Sequence, residues 1–387
     1  MSIVVQKYGG SSVADVAKLH LVAEKVVTTR AAGHDVVVVV SAMGKTTDEL
    51  LALAREVDTN PPRRELDMLL SAGERMSMAL LSMAIQKRGA PAISFTGSQS
   101  GIITNDRHFD ARIIDVRPHR VEDELHRGRV VIIAGYQGMS YKREVTTLGR
   151  GGSDTTAIAM AAALGASHAE IYSDVDGVYS ADPRVVPDAQ HLPELRYDEM
   201  GRMASAGAKV LHGKAVAMAQ EARIAIRARS TFRPGKETHV HQGAAAPSRP
   251  CAVVGDRGQV ELRFARHARG FEGALDALAE AGVDASFSAT EDVARIRLRR
   301  REAPDWSRLA EDLVQRFGAG VHEGHGTVTV VGGQRAEVAR AVGDLVPGAT
   351  GMTCDEASVR ITLPDAQVDE AVRALHARLV TREGSGS

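Results

Sequence analysis

The chain has 387 residues, enough for two or three domains, and its 44% hydrophobic and 25% charged content is that of an ordinary globular protein. Its 48 lysines and arginines nearly balance 49 aspartates and glutamates, so the net charge of -1 gives no support to a nucleic-acid or membrane-surface role. Two cysteines, Cys251 and Cys354, are too few for a disulfide framework or a metal cluster. No signal peptide or membrane span is evident, so we expect a cytoplasmic protein.

The N-terminal segment has the order strand, glycine loop, helix. Ile3–Gln6 is a short apolar strand, a loop reading KYGGSS follows from Lys7, and Val13–Thr29 has apolar residues at helical spacing. Glycines let a backbone approach a ligand closely, and a helix N-terminus directs free N–H groups at anions. This order is therefore typical of a phosphate site at the edge of a parallel sheet.

A second strand and polar loop come next. Val36–Val40 is a continuous β-branched run, which predicts a strand covered on both faces. The following loop contains Gly44-Lys45-Thr46, which suggests a P-loop, but that motif needs a glycine where the chain has Val39. The P-loop interpretation is therefore rejected.

A long helix is predicted at Leu66–Ile85, and it contains Glu74, which could bind a ligand or simply pair with a neighbouring cation. Its methionines, which we interpret as core filler, are Met68, Met76, Met78 and Met83. Ala92–Thr96, Val130–Ala134 and Glu170–Tyr172 are further buried-type strands. Strands that alternate with helices and end in polar loops predict a three-layer αβα sandwich.

The stretch Leu148–Thr156 combines a cation, a carboxylate, hydroxyls and glycines, and it leads into an alanine-rich helix at Ala157–Leu164. Arg150 can hold a carboxylate or phosphate with a planar fork of donors. Asp154, close by, needs a cationic partner or a bound amine. A glycine turn capped by Ser153 or Asp154 is the structural alternative, but the arginine, the carboxylate and the glycine loop near the N-terminus favour a binding site.

After helices at Tyr197–Ala204 and Ala208–Ala222 and a strand at Ile224–Ala228, the composition changes. Residues 243–250 are rich in Gly, Ala, Pro and Ser and predict a linker. The remainder contains two copies of a strand-helix-strand-strand-helix unit, which is ferredoxin-like. The predicted elements are Val260–Phe264, Phe271–Ala281, Ala285–Ser288, Ala294–Leu298 and Trp306–Phe317, then Thr327–Val331, Ala336–Leu345, Gly351–Cys354, Ser358–Leu363 and Val368–Leu379. The tail Glu383–Ser387 is predicted to be disordered.

Phosphoryl transfer suits the charged residues near these loops, which include Lys7, Glu74, Arg150, Asp154 and Lys209, because this reaction needs positioning and charge neutralisation more than a covalent nucleophile. Two lysines can neutralise the transferred oxygens, and Mg²⁺ can bridge the phosphates of a nucleotide. Arg150 is suited to a carboxylate and Glu74 to an ammonium group. The predicted acceptor is therefore an amino acid.

Seven motifs, in the family's order across residues 1 to about 240, resemble those of aspartate kinases (aspartokinases) in the amino-acid kinase family. They are Lys7–Val13, Ser41–Gly44, Ser71–Glu74, Gly135–Gly138, Thr147–Thr156, Ser173–Tyr179 with Asp182–Arg184, and Gly207–His212. The resemblance implies ATP-dependent phosphorylation of the aspartate side chain, the first step of the pathway to the aspartate-derived amino acids lysine and threonine.

The resemblance also implies roles for individual residues. Lys7 stabilises the transferring phosphoryl group, Arg150 holds the α-carboxylate, and Glu74 and Asp154 receive the ammonium group. Further substrate contacts are implied for Ser41, Thr47, Gly151, Gly152 and Ser153. Nucleotide contacts are implied for Lys7, Gly9, Gly10, Ser11, Ser173, Asp174, Tyr179, Asp182, Arg184 and Lys209, with ATP and Mg²⁺ as cofactors and Mg²⁺ carried by the nucleotide. Lys7, Asp154 and Lys209 are the implied catalytic residues.

The sequence departs from the family pattern at several points. Tyr8 and Ser12 replace the usual phenylalanine and threonine, Gly213 stands where a proline usually follows the histidine, and Glu237-Thr238 replaces Gly-Thr. None of these changes removes a charged catalytic group.

The C-terminal half resembles the paired ACT domains of aspartokinases more weakly. Arg269-Gly270 stands where ACT domains usually show Pro-Gly, and the Gln-Asn pair that commonly binds lysine or threonine is absent around Phe287–Glu291. We expect the fold and a homodimer through these domains to survive, with feedback by lysine or threonine weak, altered or lost.

The predicted domains are a catalytic domain at residues 1–242, a linker at 243–250 and paired ACT-like domains at 251–387. Two alternatives remain at the level of the sequence. The acceptor could be a different amino-acid carboxylate in a specialised pathway, or the chain could be a non-catalytic sensor that binds an amino acid through its ACT-like domains. The effector, the oligomer size and the pathway do not follow from the sequence.

Overall fold

A computed structural model describes residues 2–243, 249–265, 270–283, 285–289, 292–303 and 306–381. The centre of the predicted linker, Arg269, Glu291 and the tail from Glu383 lie outside these ranges. The chain divides into two compact units. The first contains Met1–Val178, His191–Ala204 and Lys209–Ala244, and the second contains Tyr179–Gln190, Ser205–Ala208 and Ala245–Ser387. Two short segments from within residues 1–242 therefore pack with the C-terminal part of the chain.

The elements up to residue 241 are numbered in chain order. The strands are β1 (Ile3–Tyr8), β2 (Asp35–Val40), β3 (Ala92–Phe95), β4 (Ile102–Thr104), β5 (Ile113–Val116), β6 (Val130–Ala134), β7 (Gln137–Ser140), β8 (Val145–Thr147), β9 (His168–Ser173), β10 (Val178–Tyr179), β11 (His191–Leu192), β12 (Glu194–Arg196), β13 (Ile226–Ser230) and β14 (Glu237–His241). The helices are α1 (Val16–Ala31), α2 (Thr46–Val57), α3 (Arg63–Gln86), α4 (His119–His126), α5 (Gly152–Ala163), α6 (Tyr197–Ala206) and α7 (Gly213–Ala222).

The main sheet of the first unit has eight strands in the order β12-β14-β13-β9-β1-β2-β6-β3. The six strands from β13 to β3 are parallel to one another. The valines from Val36 to Val40 are at most 1% exposed because α1 and α3 cover one face of the sheet and α5 packs on the other. The predicted three-layer αβα sandwich is confirmed.

A smaller four-stranded sheet, in the order β5-β4-β7-β8, also belongs to the first unit. The sequence did not predict this sheet, because its strands are only three or four residues long and carry little periodic signal. The helices α2 and α4 were not predicted either. Its last strand, β8, leads directly to the loop that carries Arg150.

Two helices begin at residues that differ from the prediction. The helix expected at Ala157 begins at Gly152, after Gly151 in the left-handed region (φ 76°), so Ser153 and Asp154 lie in its first turn. The helix expected from Ala208 begins at Gly213, because His212 adopts an extended backbone and its ring nitrogen accepts a hydrogen bond from the Lys214 N–H as an N-cap.

The second unit contains a sheet with helices packed on one face. Its strands are β15 (Pro250–Ala265), β16 (Ala285–Ala289), β17 (Val293–Arg299), β18 (Gly320–Gly332), β19 (Gly351–Cys354) and β20 (Ser358–Pro364), and its helices are α8 (Gly270–Glu280), α9 (Trp306–Phe317), α10 (Arg335–Leu345) and α11 (Val368–Leu379). The order matches the two predicted strand-helix-strand-strand-helix copies, as expected for ACT-type domains.

The two copies share one sheet, in the order β16-β17-β15-β18-β20-β19. The central strands β15 and β18 pair antiparallel along most of their length, with irregular register between Asp256 and Glu261. The first half of β15 adds a strand to the second copy, and the first half of β18 adds one to the first copy. Each copy thus borrows a strand from the other, and each has its own apolar core.

Candidate active site

A cavity of about 270 Å³ lies at the carboxyl ends of β1 and β2 in the first unit. Its lining comes from β1, from the loops after β1, β2, β6 and β8, and from α2, α3 and α5. The lining residues are Lys7, Gly10, Ser41, Ala42, Gly44, Thr47, Glu74, Tyr136, Gly149, Arg150, Gly151, Gly152, Ser153 and Asp154. The carboxyl ends of parallel strands are the usual place for a ligand in this fold class, because the loops there converge. The volume suits a small metabolite.

Lys7 and Asp154 form an ion pair inside this cavity. The Lys7 Nζ lies 2.7 Å from Asp154 Oδ1, and both side chains are 12% exposed. Lys7 projects from the end of β1 and Asp154 from the first turn of α5, where the helix dipole favours a carboxylate. The pair therefore fixes the ammonium group of Lys7 at the carboxyl end of β1.

Glu74 is a buried carboxylate with unused capacity to accept hydrogen bonds. The Ala42 N–H donates to its Oε1 at 3.1 Å, whereas Oε2 is buried without a hydrogen-bond partner among the described residues. Burial raises the pKa of Glu74 to about 7. A buried acceptor that faces a cavity without a partner is costly unless a ligand supplies the donor. The site therefore suits a cationic donor.

The close approach of α3 to the loop after β2 depends on glycine. A Cβ on Gly73 would lie 2.8 Å from the Ala42 Cβ, and a Cβ on Gly10 would lie 2.9 Å from the Ala42 carbonyl oxygen. Both glycines therefore let backbone segments pack together next to Glu74. Ser41, just after β2, and Thr47, in the first turn of α2, add hydroxyls to the cavity wall.

Arg150 enters the cavity from a loop with two glycines in the left-handed region. Gly149 has φ 69° and Gly151 has φ 76°, and a Cβ on Gly151 would lie 2.1 Å from the ring of His212. The loop is fixed from its other side by Lys214, whose Nζ lies 3.1 Å from Asp110 Oδ1 beside Gly149. The glycines thus let the loop pass under α7 and bring Arg150 to the cavity.

Asp67, which the sequence reasoning did not single out, joins three elements around the cavity. It is fully buried on α3 and accepts hydrogen bonds from Thr147 Oγ1 at 2.5 Å, from His108 Nδ1 at 2.6 Å and from the Phe109 N–H at 3.1 Å. Burial raises the pKa of Asp67, and the hydrogen bonds from Thr147 and His108 oppose this rise. The sequence did contain a signal for the importance of Asp67, because it places a carboxylate at a core position of an amphipathic helix, where charged residues are rare.

Asp67 also holds a strained turn. Phe109 has φ 74°, which is unusual for an aromatic residue, and it directly precedes Asp110 beside Gly149. Asp67 lies two helical turns before Glu74 on α3, and its partner Thr147 lies three residues before Arg150. The Asp67 carboxylate therefore connects the side of the cavity that carries Glu74 with the side that carries Arg150. We infer that it positions the two groups.

The predicted nucleotide-binding residues lie outside the lining of this cavity, apart from Lys7 and Gly10. A Cβ on Gly9 would lie 3.4 Å from Lys7 Nζ, and Ser11 follows in a short 3₁₀ turn. Ser173 ends β9 and Asp174 follows it, whereas Lys209 is exposed in the loop before α7. The remaining three belong to the second unit, where Arg184 pairs with Asp182 at 2.6 Å; they are Tyr179, Asp182 and Arg184.

The fold and the cavity define an α/β protein with a small cavity, lined by charged side chains, at the edge of a parallel sheet. The family model described as "Amino acid kinase family" matches residues 2–229. The chain therefore belongs to the amino acid kinase family.

Curated relatives narrow the comparison. An aspartokinase of Mycolicibacterium smegmatis is 58% identical over 238 residues, which cover 61% of this chain and 56% of that protein. An aspartokinase of Thermus thermophilus is 51% identical over 232 residues, which cover 60% of this chain and 57% of that protein. The chain thus spans about half the length of the curated relatives it matches.

The likeness in fold extends further along the chain than the likeness in sequence. The structure of E. coli aspartokinase III in complex with aspartate and ADP superposes with a TM-score of 0.83 at 26% identity and covers 98% of this chain and 100% of that one. Clostridium acetobutylicum aspartate kinase superposes with a TM-score of 0.68 at 18% identity, which shows the fold alone. The second unit therefore keeps an aspartokinase-like fold where the family model no longer matches.

Proposed function

We propose that this chain transfers the γ-phosphoryl group of ATP to the side-chain carboxylate of L-aspartate, giving 4-phospho-L-aspartate at the start of the aspartate-family amino-acid pathway. The observation that carries the proposal is a single cavity lined by Arg150, Glu74 and the Lys7–Asp154 pair. The identity to curated aspartokinases and the likeness to an aspartokinase in complex with aspartate and ADP support it.

The proposed acceptor binds as a zwitterion. Arg150 pairs with its α-carboxylate through two parallel hydrogen bonds, and Glu74 accepts a hydrogen bond from its ammonium group with the Oε2 atom that has no partner in the described structure. Asp154 adds a second negative charge on the ammonium side. Hydroxyls of Ser41, Thr47 and Ser153 and the backbone of Gly151 and Gly152 complete the wall. The side-chain carboxylate is then directed towards Lys7.

The proposed reaction needs no general base. A carboxylate oxygen of aspartate attacks the γ-phosphorus, a new P–O bond forms, and the bond from that phosphorus to the bridging β–γ oxygen breaks, with the electron pair leaving on ADP. No proton moves in this step. Lys7, held by Asp154, stabilises the charge that develops on the transferred oxygens, and backbone N–H groups around Gly10 support it.

The nucleotide phosphates are proposed to bind beside this cavity, at the loop after β1 in the first unit. Gly9, Gly10 and Ser11 bind the terminal phosphate, and Lys209 offsets phosphate charge from the loop before α7. Ser173, Asp174, Tyr179, Asp182 and Arg184 are assigned to the nucleotide through their match to the family motif. Mg²⁺ would be carried by the triphosphate, where it would neutralise phosphate charge.

We further propose a cytoplasmic homodimer formed through the second unit. The edge strand β16 carries Phe287, whose side chain is 68% exposed, and its outer edge has no strand partner in the described sheet. Unpaired sheet edges are ready templates for pairing with another chain. The expected dimer therefore extends the six-stranded sheet across two copies.

The experiment that tests the function is an acceptor panel with hydroxylamine, which traps acyl phosphates as hydroxamates. We expect ATP-dependent hydroxamate with aspartate and none with Lys7→Ala as the matched inactive control. Hydroxamate with glutamate or another amino acid instead of aspartate would transfer the proposal to that acceptor. Failure of every acceptor, with no ADP formed, would leave the amino-acid sensor as the better function.

A further inference from the structure

The segment Tyr179–Gln190 belongs to the second unit, although the residues on both sides of it belong to the first. Ala181 and Val186 of this segment are at most 5% exposed, in the apolar core that also contains Leu375 of α11. Under the proposed function the same segment contributes three residues to the nucleotide, namely Tyr179, Asp182 and Arg184. The core of the second repeat therefore holds a piece of chain assigned to the nucleotide.

Ser180 closes this segment into a loop. Its N–H donates to the Gln190 carbonyl oxygen at 2.9 Å, and its Oγ accepts the Gln190 N–H at 2.9 Å. Its carbonyl oxygen accepts the Val253 N–H of β15 at 2.8 Å. Because Ser180 is fully buried, each of its polar groups needs a partner inside the protein. The hydroxyl proton is the group that these contacts leave to be paired.

His376 on α11 supplies the acceptor for that proton. The residue is 1% exposed, and its Nε2 lies 2.8 Å from Ser180 Oγ. Since Ser180 Oγ already accepts the Gln190 N–H, its O–H donates to Nε2, and the ring carries its own proton on Nδ1, 3.4 Å from Thr381 Oγ1. Burial lowers the pKa of His376, although Asp188 opposes this effect, so the ring is neutral and accepts a hydrogen bond at neutral pH.

The exposed end of the loop is a compact turn that follows Ser180 closely. The Asp182 carboxylate accepts the Arg184 N–H at 3.0 Å and pairs with the Arg184 guanidinium at 2.6 Å. The Asp182 carbonyl oxygen accepts the N–H groups of Val185 and Val186. Because these bonds hold the turn together internally, its position depends on where Ser180 is fixed. A buried imidazole is costly in an apolar core unless it is paired, and here its partner is this closing residue.

We propose that His376 is a positioning residue for the nucleotide, which through Ser180 fixes the 179–190 segment in the conformation that binds ATP. This inference rests on the proposed function. Loss of the Nε2 acceptor leaves the buried Ser180 hydroxyl unpaired, which favours conformations in which the segment leaves the core. The apparent affinity for nucleotide then falls with the fraction of molecules that keep the segment in place. The proposed contacts to aspartate lie on the first unit and are unaffected.

The test measures MgADP binding to the full-length protein by isothermal titration calorimetry. His376→Leu keeps a similar side-chain volume without an acceptor, whereas His376→Gln offers a side-chain carbonyl oxygen near the position of Nε2. We expect about tenfold weaker binding in His376→Leu and recovery to within about threefold of the wild type in His376→Gln. The KM for aspartate should stay unchanged in both variants. Binding by His376→Gln as weak as that by His376→Leu would overturn the proposal.

A double-mutant cycle tests the route through Ser180. Ser180→Ala combined with His376→Leu should bind MgADP no more weakly than the weaker of the two single variants, because both changes remove one interaction. Losses that multiply would overturn the proposal. Equal affinity in the wild type and His376→Leu would also overturn it while leaving the proposed function intact. A wild-type protein that binds no MgADP would overturn the proposed function and this inference with it.

Val342→Ala, in the same apolar core but on α10, is the control for stability. It should lower the melting temperature and leave the MgADP affinity unchanged. Hydrogen exchange of the backbone amides of residues 179–190 gives a readout that does not depend on nucleotide. Exchange there should be about tenfold faster in His376→Leu than in Val342→Ala. An MgADP affinity that follows the melting temperature across all variants would make His376 a structural residue only.

Discussion

At the scale of single residues, the fold changes the ionisation of Glu74. An exposed glutamate is fully ionised at neutral pH, whereas burial in the cavity wall raises the pKa of Glu74 to about 7. An ammonium group beside Oε2 would favour the carboxylate form, so acceptor binding and proton release are linked at this residue. The same linkage affects stability: the folded protein holds this proton more tightly than the unfolded chain, so the contribution of Glu74 to stability falls as the pH rises from about 4.5 to about 7.

The first prediction follows from this linkage. The KM for aspartate should rise as the pH falls below about 7, approaching tenfold per pH unit, because Glu74 must lose its proton before it can receive an ammonium group. Steady-state kinetics between pH 6 and 8.5 at saturating ATP measure it. In Glu74→Gln the KM should be high and nearly independent of pH. An aspartate KM that is flat across this range in the wild type would contradict the role of Glu74.

Arg150 gives a second prediction at this scale. Arg150→Lys should weaken aspartate binding by about 1–3 kcal/mol, or roughly 5- to 150-fold in KM, because a lysine cannot reproduce a two-point contact with a carboxylate. The KM for ATP should change little. Initial-rate kinetics with each substrate varied in turn measure the difference, and an unchanged aspartate KM would remove Arg150 from its proposed role.

At the scale of elements, α3 organises the first unit. One face buries Asp67 and Glu74 against the cavity walls. The opposite face exposes three of the methionines interpreted as core filler, and that interpretation is wrong for Met68, Met76 and Met83. Gly73 lets the helix approach the loop after β2, so Glu74 can accept the Ala42 N–H. A change at Asp67 should therefore act on the cavity through the three elements that this carboxylate joins.

Asp67→Asn should raise the KM for aspartate about tenfold with little change in the KM for ATP. An amide directs N–H groups at neighbours that are themselves donors, and leaving one of these buried donors unsatisfied costs about 1–3 kcal/mol. The strands and loops that hold Arg150 should shift as a result. Asp123→Asn, an exposed carboxylate on α4, is the matched control.

The result separates positioning from stability. A lower melting temperature without a change in the aspartate KM would make Asp67 a structural residue only. Equal increases in both KM values would likewise contradict a specific effect on the acceptor wall.

At the scale of the whole molecule, the second unit has an aspartokinase-like fold, but the Gln-Asn pair that the family resemblance leads one to expect is absent from its sequence. The family model ends at residue 229, yet the likeness to E. coli aspartokinase III covers 98% of the chain. The paired sheet needs only alternating apolar residues on one face, so it tolerates wide sequence change. An effector site needs particular polar groups, and those expected near Phe287 are absent from the sequence.

Feedback by lysine and threonine should accordingly be weak. We expect less than half inhibition by either amino acid at 1 mM, alone or together, because the polar pair that usually binds them is missing. The test is to titrate lysine and threonine into an assay of aspartate-dependent ADP formation. The variant Phe287→Lys, which changes the exposed edge strand β16, is the control for effects on the proposed dimer contact. Strong inhibition at sub-millimolar concentration would show that other residues have taken over the effector site.

The sequence by itself determined the layers and most of the elements. The run Val36–Val40 specified a doubly covered strand, and the paired repeats after residue 250 specified the ten strands and α-helices that the structure describes there, because hydrophobic period is a local property that depends on a few neighbouring residues. Motif spacing likewise singled out Lys7, Glu74, Arg150 and Asp154, which the structure brings to one cavity.

Only the tertiary structure decided which distant residues meet. Asp67 contacts Thr147 across 80 positions of the chain, and no local pattern encodes such a contact. Periodicity also placed the methionines of α3 on a helix without showing which side faces water, so Met76 was assigned to a core that it does not enter. The exchange of strands between the two repeats, through β15 and β18, was also decided only by the tertiary structure. Pairing between the repeats depends on strand register, which composition does not encode.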